Sequence, residues 1–290
     1  MTQPLLSPIA IVPNISKPGA EELARTLLQN AQKLGVEGSI MPNYPSNPKS
    51  LEGFKLVVVI GGDGSILGVA SAAAQAKVPV MGINLGTLGF MAHFTTQEIT
   101  LHWPLVLRGE FELSPRTMIE CKLHNGEPML ALNDLVIKTY SSRLVRLEVA
   151  QKGRLVNHYH ADGLIFSTPT GSTAYNLAAG GPIVHPETHG LLLTPINPHT
   201  LSNRAIVLPH SRVVTVNIER PVTGMQISAD GRELSRDPDS FPVEVHICTS
   251  CTLDLVQPAG HSHFEVLRNK LRWTGDTPSR LQQADGHQGS

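Results

Sequence analysis

One carboxylate sits where the backbone is stripped of side chains: Asp63, inside Gly61-Gly62-Asp63-Gly64. Just before it, Val57 to Ile60 are four branched apolar residues that read as a strand buried on both faces. Just after it, an Ala-rich helix is predicted from about Ile66 to Ala76, with Ser65 as its cap. A glycine turn between strand and helix directs unpaired N–H groups outward, and these attract phosphate. Gly61, Gly62, Gly64 and Ser65 are therefore the candidate phosphate ligands. A negative charge in such a turn suits a base, or a group that organises a metal, beside a phosphate. Asp-Gly is also ordinary turn chemistry, and the turn alone leaves both readings open. The chain has no Gly-x-x-x-x-Gly-Lys-[Ser/Thr], and Gly62-Asp63-Gly64 does not continue to the third glycine of a dinucleotide fingerprint.

A second stretch is dense in hydroxyls. The apolar run Leu164 to Phe166 enters Ser167-Thr168-Pro169-Thr170-Gly171-Ser172-Thr173, and a helix is predicted from Ser172 to Ala179. Hydroxyls, N–H groups and a helix start facing one point suit a polar, multiply hydroxylated ligand, and their number exceeds what a helix cap needs.

The elements around these stretches fall into two compositional halves. Up to about residue 105, strands (Ile9 to Val12, Val36 to Met41, Val57 to Ile60, Val78 to Asn84) alternate with helical patterns, the first from Ala20 to Leu34 and stopped by Gly35. That predicts a Rossmann-like α/β domain over residues 1–105 with a mostly parallel sheet. The pattern changes near Trp103. Residues 106–258 carry short alternating segments such as Met118 to Leu123, Leu144 to Val149, Val213 to Ile218 and Val243 to Ile247, the mark of an all-β sandwich domain. A segment at 259–273, helical from Phe264 to Leu271, is expected to return to the first domain, and residues 274–290 are expected to be a disordered tail.

A net charge of −1 gives no reason to expect nucleic acid or an acidic membrane surface. No apolar run reaches membrane-spanning length, and the start shows no basic segment followed by an apolar one. Three cysteines fit a reducing cytoplasm better than a disulfide framework.

The Gly-Gly-Asp-Gly string resembles a signature shared by NAD kinases, diacylglycerol and sphingosine kinases and, in part, 6-phosphofructokinases. The stretch Ala161 to Val184 resembles the NAD kinase signature specifically. Gly82 to Phe90, Asn133-Asp134, Asn197 to Ser202 and Asp230-Gly231 follow in the same order, and Phe264 to Trp273 also resembles that family. The resemblance implies a two-domain enzyme that moves a phosphoryl group from ATP or inorganic polyphosphate, with Mg²⁺, to the adenosine 2′-hydroxyl of NAD. By resemblance Asp63 is the general base, Gly64 and Phe90 line the adenosine ribose, and Asn133 with Asp134 contacts the dinucleotide. Thr173, Ala174 and Tyr175 close over NAD, Asp230 is a further contact, and Asp162 reaches NAD in a neighbouring subunit of a homo-oligomer, dimer or tetramer. No metal ligand from the protein itself is implied. Ser65 replaces the more usual Thr or Asn, Asp134 replaces the commoner Glu, and His160 leaves acceptance of NADH open. A lipid kinase sharing the glycine motif and a catalytically silent NAD(P)-binding sensor are the competing functions. A zinc site from His246, Cys248, Cys251, His261 and His263 is a weaker expectation, against which alternation along the strand leaves His246 and Cys248 on an exposed face.

Overall fold

The computed structural model describes residues 5–45, 47–86, 89–200, 202–220 and 222–273. Thr87 and Leu88 of the second glycine motif, Leu201, and the tail expected to be disordered lie outside the described residues.

The first half runs β1 (Ile9–Pro13), α1 (Ala20–Lys33), β2 (Gly38–Ile40), β3 (Leu56–Gly61), α2 (Asp63–Ala76), β4 (Val80–Asn84), β5 (Phe94–Thr95) and α3 (Thr96–Leu107). Strands β2, β1, β3 and β4 lie side by side and parallel, and β5 pairs with the far end of β4. Strand β3 is buried on both faces, as its unbroken apolar run requires. Val57 and Val59 pack with Ile66, Val69 and Ala73 of α2. Leu56, Val58 and Ile60 face the opposite layer, where α1 and α3 supply Ala24, Leu27 and Trp103. Each such aliphatic side chain contributes roughly 1.5–3 kcal/mol when fully buried. From β1 the chain turns outward to β2, then crosses back to β3 on the other side. The carboxyl ends of β1 and β3 thus flank the switch point of the sheet, where open α/β folds bind ligands.

Helix α3 is an addition to the predicted elements. Its start, Thr95-x-x-Glu98, is a capping box: the Thr95 hydroxyl accepts from the Glu98 N–H at 3.2 Å while the Glu98 carboxylate accepts from the Thr95 N–H at 2.8 Å. Trp103, where the sequence pattern changes, lies inside this helix and donates its indole N–H to the Leu27 carbonyl at 3.1 Å.

The second half holds β6 (Glu112–Lys122), β7 (Met129–Ala131), β8 (Asp134–Thr139), β9 (Val145–Gln151), β10 (Arg154–Ala161), β11 (Gly163–Ser167), α4 (Tyr175–Ala178), β12 (Gly190–Ile196), β13 (Ile206–Pro209), β14 (Val214–Ile218), β15 (Met225–Ala229), β16 (Arg232–Ser235), β17 (Val243–Gln257) and α5 (His263–Leu271). One layer is an antiparallel sheet ordered β13-β12-β11-β8-β15-β16. It packs against β6, β9, β14 and β17 through Leu135, Ile137, Leu164, Phe166, Leu147, Val216 and Val245. The expected strand Val243 to Ile247 is longer than its local pattern indicates. After a register shift between Ile247 and Thr252, β17 runs on to pair Leu255 and Val256 parallel with Val80 and Met81 of β4. The first half's parallel sheet and one layer of the sandwich are therefore a single eleven-stranded sheet joined through β17. No helix among the described residues is long and apolar enough to cross a membrane.

Candidate functional site

The glycine turn is built as its composition requires. Gly62 has φ 141° and ψ −174°, a conformation open essentially to glycine alone. A Cβ on Gly61 would run into the Ser65 side chain, whereas Gly64 faces open space. Helix α2 begins at Asp63 rather than at Ile66, so Ser65 is inside the first turn and is not the cap. Its buried hydroxyl instead accepts from the Asn14 side-chain amide at 3.0 Å, and no side chain caps the helix. The first N–H groups of α2 thus remain directed at the switch point, with the anion preference expected of a helix start.

Asp63 does more than sit there. Its Oδ2 accepts from the Phe90 N–H at 2.7 Å, and its Oδ1 accepts from the Met91 and Ala92 N–H groups, each at 3.0 Å. The carboxylate clamps the loop between β4 and β5, and Gly89 must be glycine because a Cβ there would collide with that carboxylate. A carboxylate has about four lone-pair sites, so a position remains for a substrate hydroxyl. Sequence reading missed a neighbour. Lys17, in the turn after β1, donates its ammonium to the Gly61 carbonyl and lies beside Gly62. A lysine just past the carboxyl end of β1 was the available signal, since that end adjoins the carboxyl end of β3.

The second part of the site is a cavity of about 340 Å³ on the outer face of the sandwich's antiparallel sheet. Alternation puts Asp134, Val136 and Lys138 of β8 on this face, opposite Gln226 and Ser228 of β15. Asn133, Ala174, Tyr175, Asp230 and Gly231 complete the wall together with Leu67 of α2. Five sequence-predicted residues, Asn133, Asp134, Ala174, Tyr175 and Asp230, are thereby brought together. Leu67 is four residues beyond Asp63, so the two share one side of α2. Arg232 donates to the Gly68 carbonyl at 2.9 Å and fastens this edge of the sandwich to α2. Lys138 and Tyr140 were not anticipated; the Lys138 ammonium lies 4.5 Å from the Tyr140 ring centre and 5.4 Å from that of Tyr175.

Asp230 repeats the clamp of Asp63. Its Oδ2 accepts from the Leu132 N–H at 2.7 Å, and its Oδ1 from Asn133 and Asp134 at 2.7 and 3.2 Å. Burial raises its pKa against the pull of these hydrogen bonds. Asp134, 6% exposed, is pushed up to about 7 by burial and then by the Asp230 charge.

The hydroxyl stretch requires a correction. Most of its hydroxyls hold the fold together instead of facing a ligand. Thr168 donates to the Leu132 carbonyl at 2.6 Å and accepts from Gly171 at 3.0 Å. Ser172 donates to and accepts from Val184 at 3.1 and 3.0 Å, and Ser167 donates to the Thr168 carbonyl at 2.9 Å. The predicted helix Ser172 to Ala179 is a 3₁₀ turn, Thr170–Thr173, followed by the four-residue α4. Thr173 is half-buried in that turn, outside the cavity wall. Asp162 is also apart, at the crossing from β10 to β11, where it accepts from the Asn197 side-chain amide at 2.9 Å. Among the described residues, the five side chains named for zinc form no metal-binding group. His261 lies tilted against His93 with ring centres 4.0 Å apart and His263 meets His185 at 5.2 Å, and no three such side chains among the described residues are placed to hold a metal ion.

The sequence matches the ATP-NAD kinase N-terminal domain over residues 45–111 and the ATP-NAD kinase C-terminal domain over residues 132–253. It is 38% identical over 264 residues to the NAD kinase of Geotalea daltonii, covering 88% of this chain and 93% of that one. It is 34% identical to the NAD kinase of Syntrophobacter fumaroxidans, with 91% and 98% covered. The fold superposes on a yeast NADH kinase complexed with NADH with a TM-score of 0.81, at 26% identity, covering 96% of this chain and 91% of that one. An NAD kinase from Archaeoglobus fulgidus in complex with ATP shares the fold with a TM-score of 0.75, at 23% identity, with 92% and 99% covered. The two-domain architecture, the glycine turn with its carboxylate and the whole-length similarity agree: the chain belongs to the NAD kinase family.

Proposed function

We propose that this chain transfers the terminal phosphoryl group of ATP to the adenosine 2′-hydroxyl of NAD, producing NADP, with Asp63 as the general base. The observation that carries the reading is the shared side of α2. Asp63 opens the helix at the glycine turn, and Leu67, one turn on, lines the cavity of Asn133, Asp134 and Tyr175.

In this reading NAD lies in the cavity with its adenosine ribose toward Gly64 and Phe90, and Asn133 and Asp134 accept or donate to its polar groups. Thr173, Ala174 and Tyr175 close over it, and Asp230 acts by fixing the backbone of residues 132–134. Asp63 takes the 2′-hydroxyl proton on the lone-pair site that the loop N–H groups leave. The N–H groups of the turn and the Lys17 ammonium hold the donor's phosphate oxygens. Those groups are hydrogen-bond donors, so they fit a phosphate–cation complex and not a bare cation. Mg²⁺ carried by the donor would neutralise charge developing on the transferred group. Polyphosphate presents the same oxygens and is a second donor in this proposal.

The direct test is to incubate the purified chain with NAD, ATP and Mg²⁺ and measure NADP. Tight NAD binding with no NADP formed would replace the proposal with the sensor reading. The proposed assembly is a cytoplasmic homo-oligomer in which Asp162 serves a neighbouring pocket, supported by the position of β10 at an outer edge of the large sheet. Specific activity should then fall on dilution in step with dissociation seen by mass photometry. A fully active monomer would end that part of the proposal.

A further inference from the structure

Behind the loop that Asp63 clamps, buried side-chain nitrogens accumulate without hydrogen-bond partners. Arg116 on β6 and His93 just before β5 are each 3% exposed. Arg116 Nε, both ring nitrogens of His93, and Nε2 of His261 and of His263 are buried and have no hydrogen-bond partner in the protein. Each neutral imidazole carries one N–H, and a guanidinium only donates. Among the described residues no carboxylate lies within ion-pair distance of Arg116. The same place receives the start of α5, whose cap residue Ser262 makes no side-chain bond. The Glu265 and Val266 N–H groups turn back to the Ser262 carbonyl, but those of His263 and Phe264 do not. A buried guanidinium, one N–H from each of three imidazoles and an uncapped helix start all donate, and unpaired buried donors are costly.

We infer that Arg116, His93, His261, His263 and the N-terminus of α5 form a binding site for a phosphate-class oxyanion, separate from the glycine turn. A tetrahedral oxyanion supplies several strong acceptors together with the negative charge that these groups lack. A metal is the wrong occupant, because Arg116 would repel it. His261 and His263 are half-buried and give the site its opening to solvent. The neighbouring charges are known. Glu187 attracts Arg116, Glu265 and Glu112 attract His261, and His185 adds to the crowd of imidazoles at His263. Burial, with mutual repulsion, lowers His93 to about 2 and His263 to about 4. An anion offsets the repulsion and raises the pKa values of these histidines, so its binding is coupled to proton uptake. The residue before His93 is Ala92, which holds Asp63, so an anion here also steadies the catalytic loop.

The test uses full-length protein with ¹⁵N-labelled histidine, titrated with inorganic phosphate and separately with ATP. Saturable shifts of the His93, His261 and His263 side-chain nitrogens with phosphate alone support a free-anion site. The same shifts with ATP but not phosphate assign it to the phosphate chain of a nucleotide. Arg116→Gln should weaken the binding about tenfold or more, from loss of charge-assisted bonds. His263→Asn, at a half-buried position, serves if Arg116→Gln does not fold and should weaken it several-fold. Histidine signals that stay fixed at tens of millimolar of both ligands, or affinity unchanged in the variants, would overturn the site. NADP formation is measured in parallel, so failure of the kinase reading and failure of this site remain distinguishable.

Discussion

The glycine turn and the sandwich cavity solve one problem with opposite chemistry. Both place a carboxylate, Asp63 or Asp230, so that it accepts three successive backbone N–H groups and fixes a loop. At the turn the surroundings are helix-start N–H groups and Lys17, which favour negative charge. In the cavity a second carboxylate, Asp134, is buried beside the first and held partly protonated near neutrality. The same device therefore sits in surroundings that favour negative charge in one half and in surroundings that disfavour it in the other.

The largest expected effect comes from Asp63→Asn. If Asp63 is the base, turnover should fall by roughly 10²–10⁴-fold. Asn is not a silent control, because its amide nitrogen cannot accept from the loop N–H groups. Gly89→Ala separates the roles by crowding the clamp while keeping the carboxylate. We predict a much smaller loss of kcat for Gly89→Ala; equal losses in the two variants would show that Asp63 acts chiefly as a clamp.

For Asp230→Asn the order of effects should reverse. We predict about 1–3 kcal/mol lost from stability in a denaturant series and about a tenfold rise in KM for NAD, with kcat changed less. An unchanged denaturation midpoint would remove Asp230 from its positioning role.

Asp134 sharpens the comparison through pH. Its pKa is about 7 in the folded chain, above the ordinary 3.8. Between those values the folded state holds a proton the unfolded state has released, so this group's contribution to stability declines as pH rises through that window. We predict that Asp134→Asn flattens this decline. With the carboxylate accepting from NAD hydroxyls, NAD affinity in the wild type should rise between about pH 6 and 8 with proton release. Calorimetry in two buffers of different ionisation enthalpy reads that release, and its absence would place Asp134 outside the NAD contacts.

The smallest effects separate hydroxyls that look alike in sequence. Thr168→Val should cost about 1–3 kcal/mol of stability, leaving the Gly171 N–H buried and unpaired. Thr173→Val should cost under about 0.5 kcal/mol and act, if at all, on KM for NAD. A reversed ranking in thermal melts would contradict the assignment of Thr168 to the fold.

What sequence could show depended on range. The strand before Asp63 and the helix after it were legible because their apolar runs and glycines are local signals. The capping box of α3, Thr95-x-x-Glu98, is an equally local signal, and Pro104 inside the helix works against reading it as one. The hydroxyls of Ser167 to Ser172 could not be sorted, because their partners Leu132 and Val184 come from other segments. Both clamps were likewise hidden: Asp63 reaches 27 to 29 residues ahead, and Asp230 reaches back 96 to 98.

Strand β17 has a mechanical consequence. Because it pairs with β14 of the sandwich and with β4 of the α/β half, the two halves cannot swing about a slack linker. Any rotation of one half against the other must twist that hydrogen-bonded ribbon. The break in its ladder with β6, between Ile247 and Thr252, is where the ladder is interrupted and local twist increases. The four residues between Ile247 and Thr252 are thus where a static ladder gives way to local irregularity, far from Asp63 in sequence.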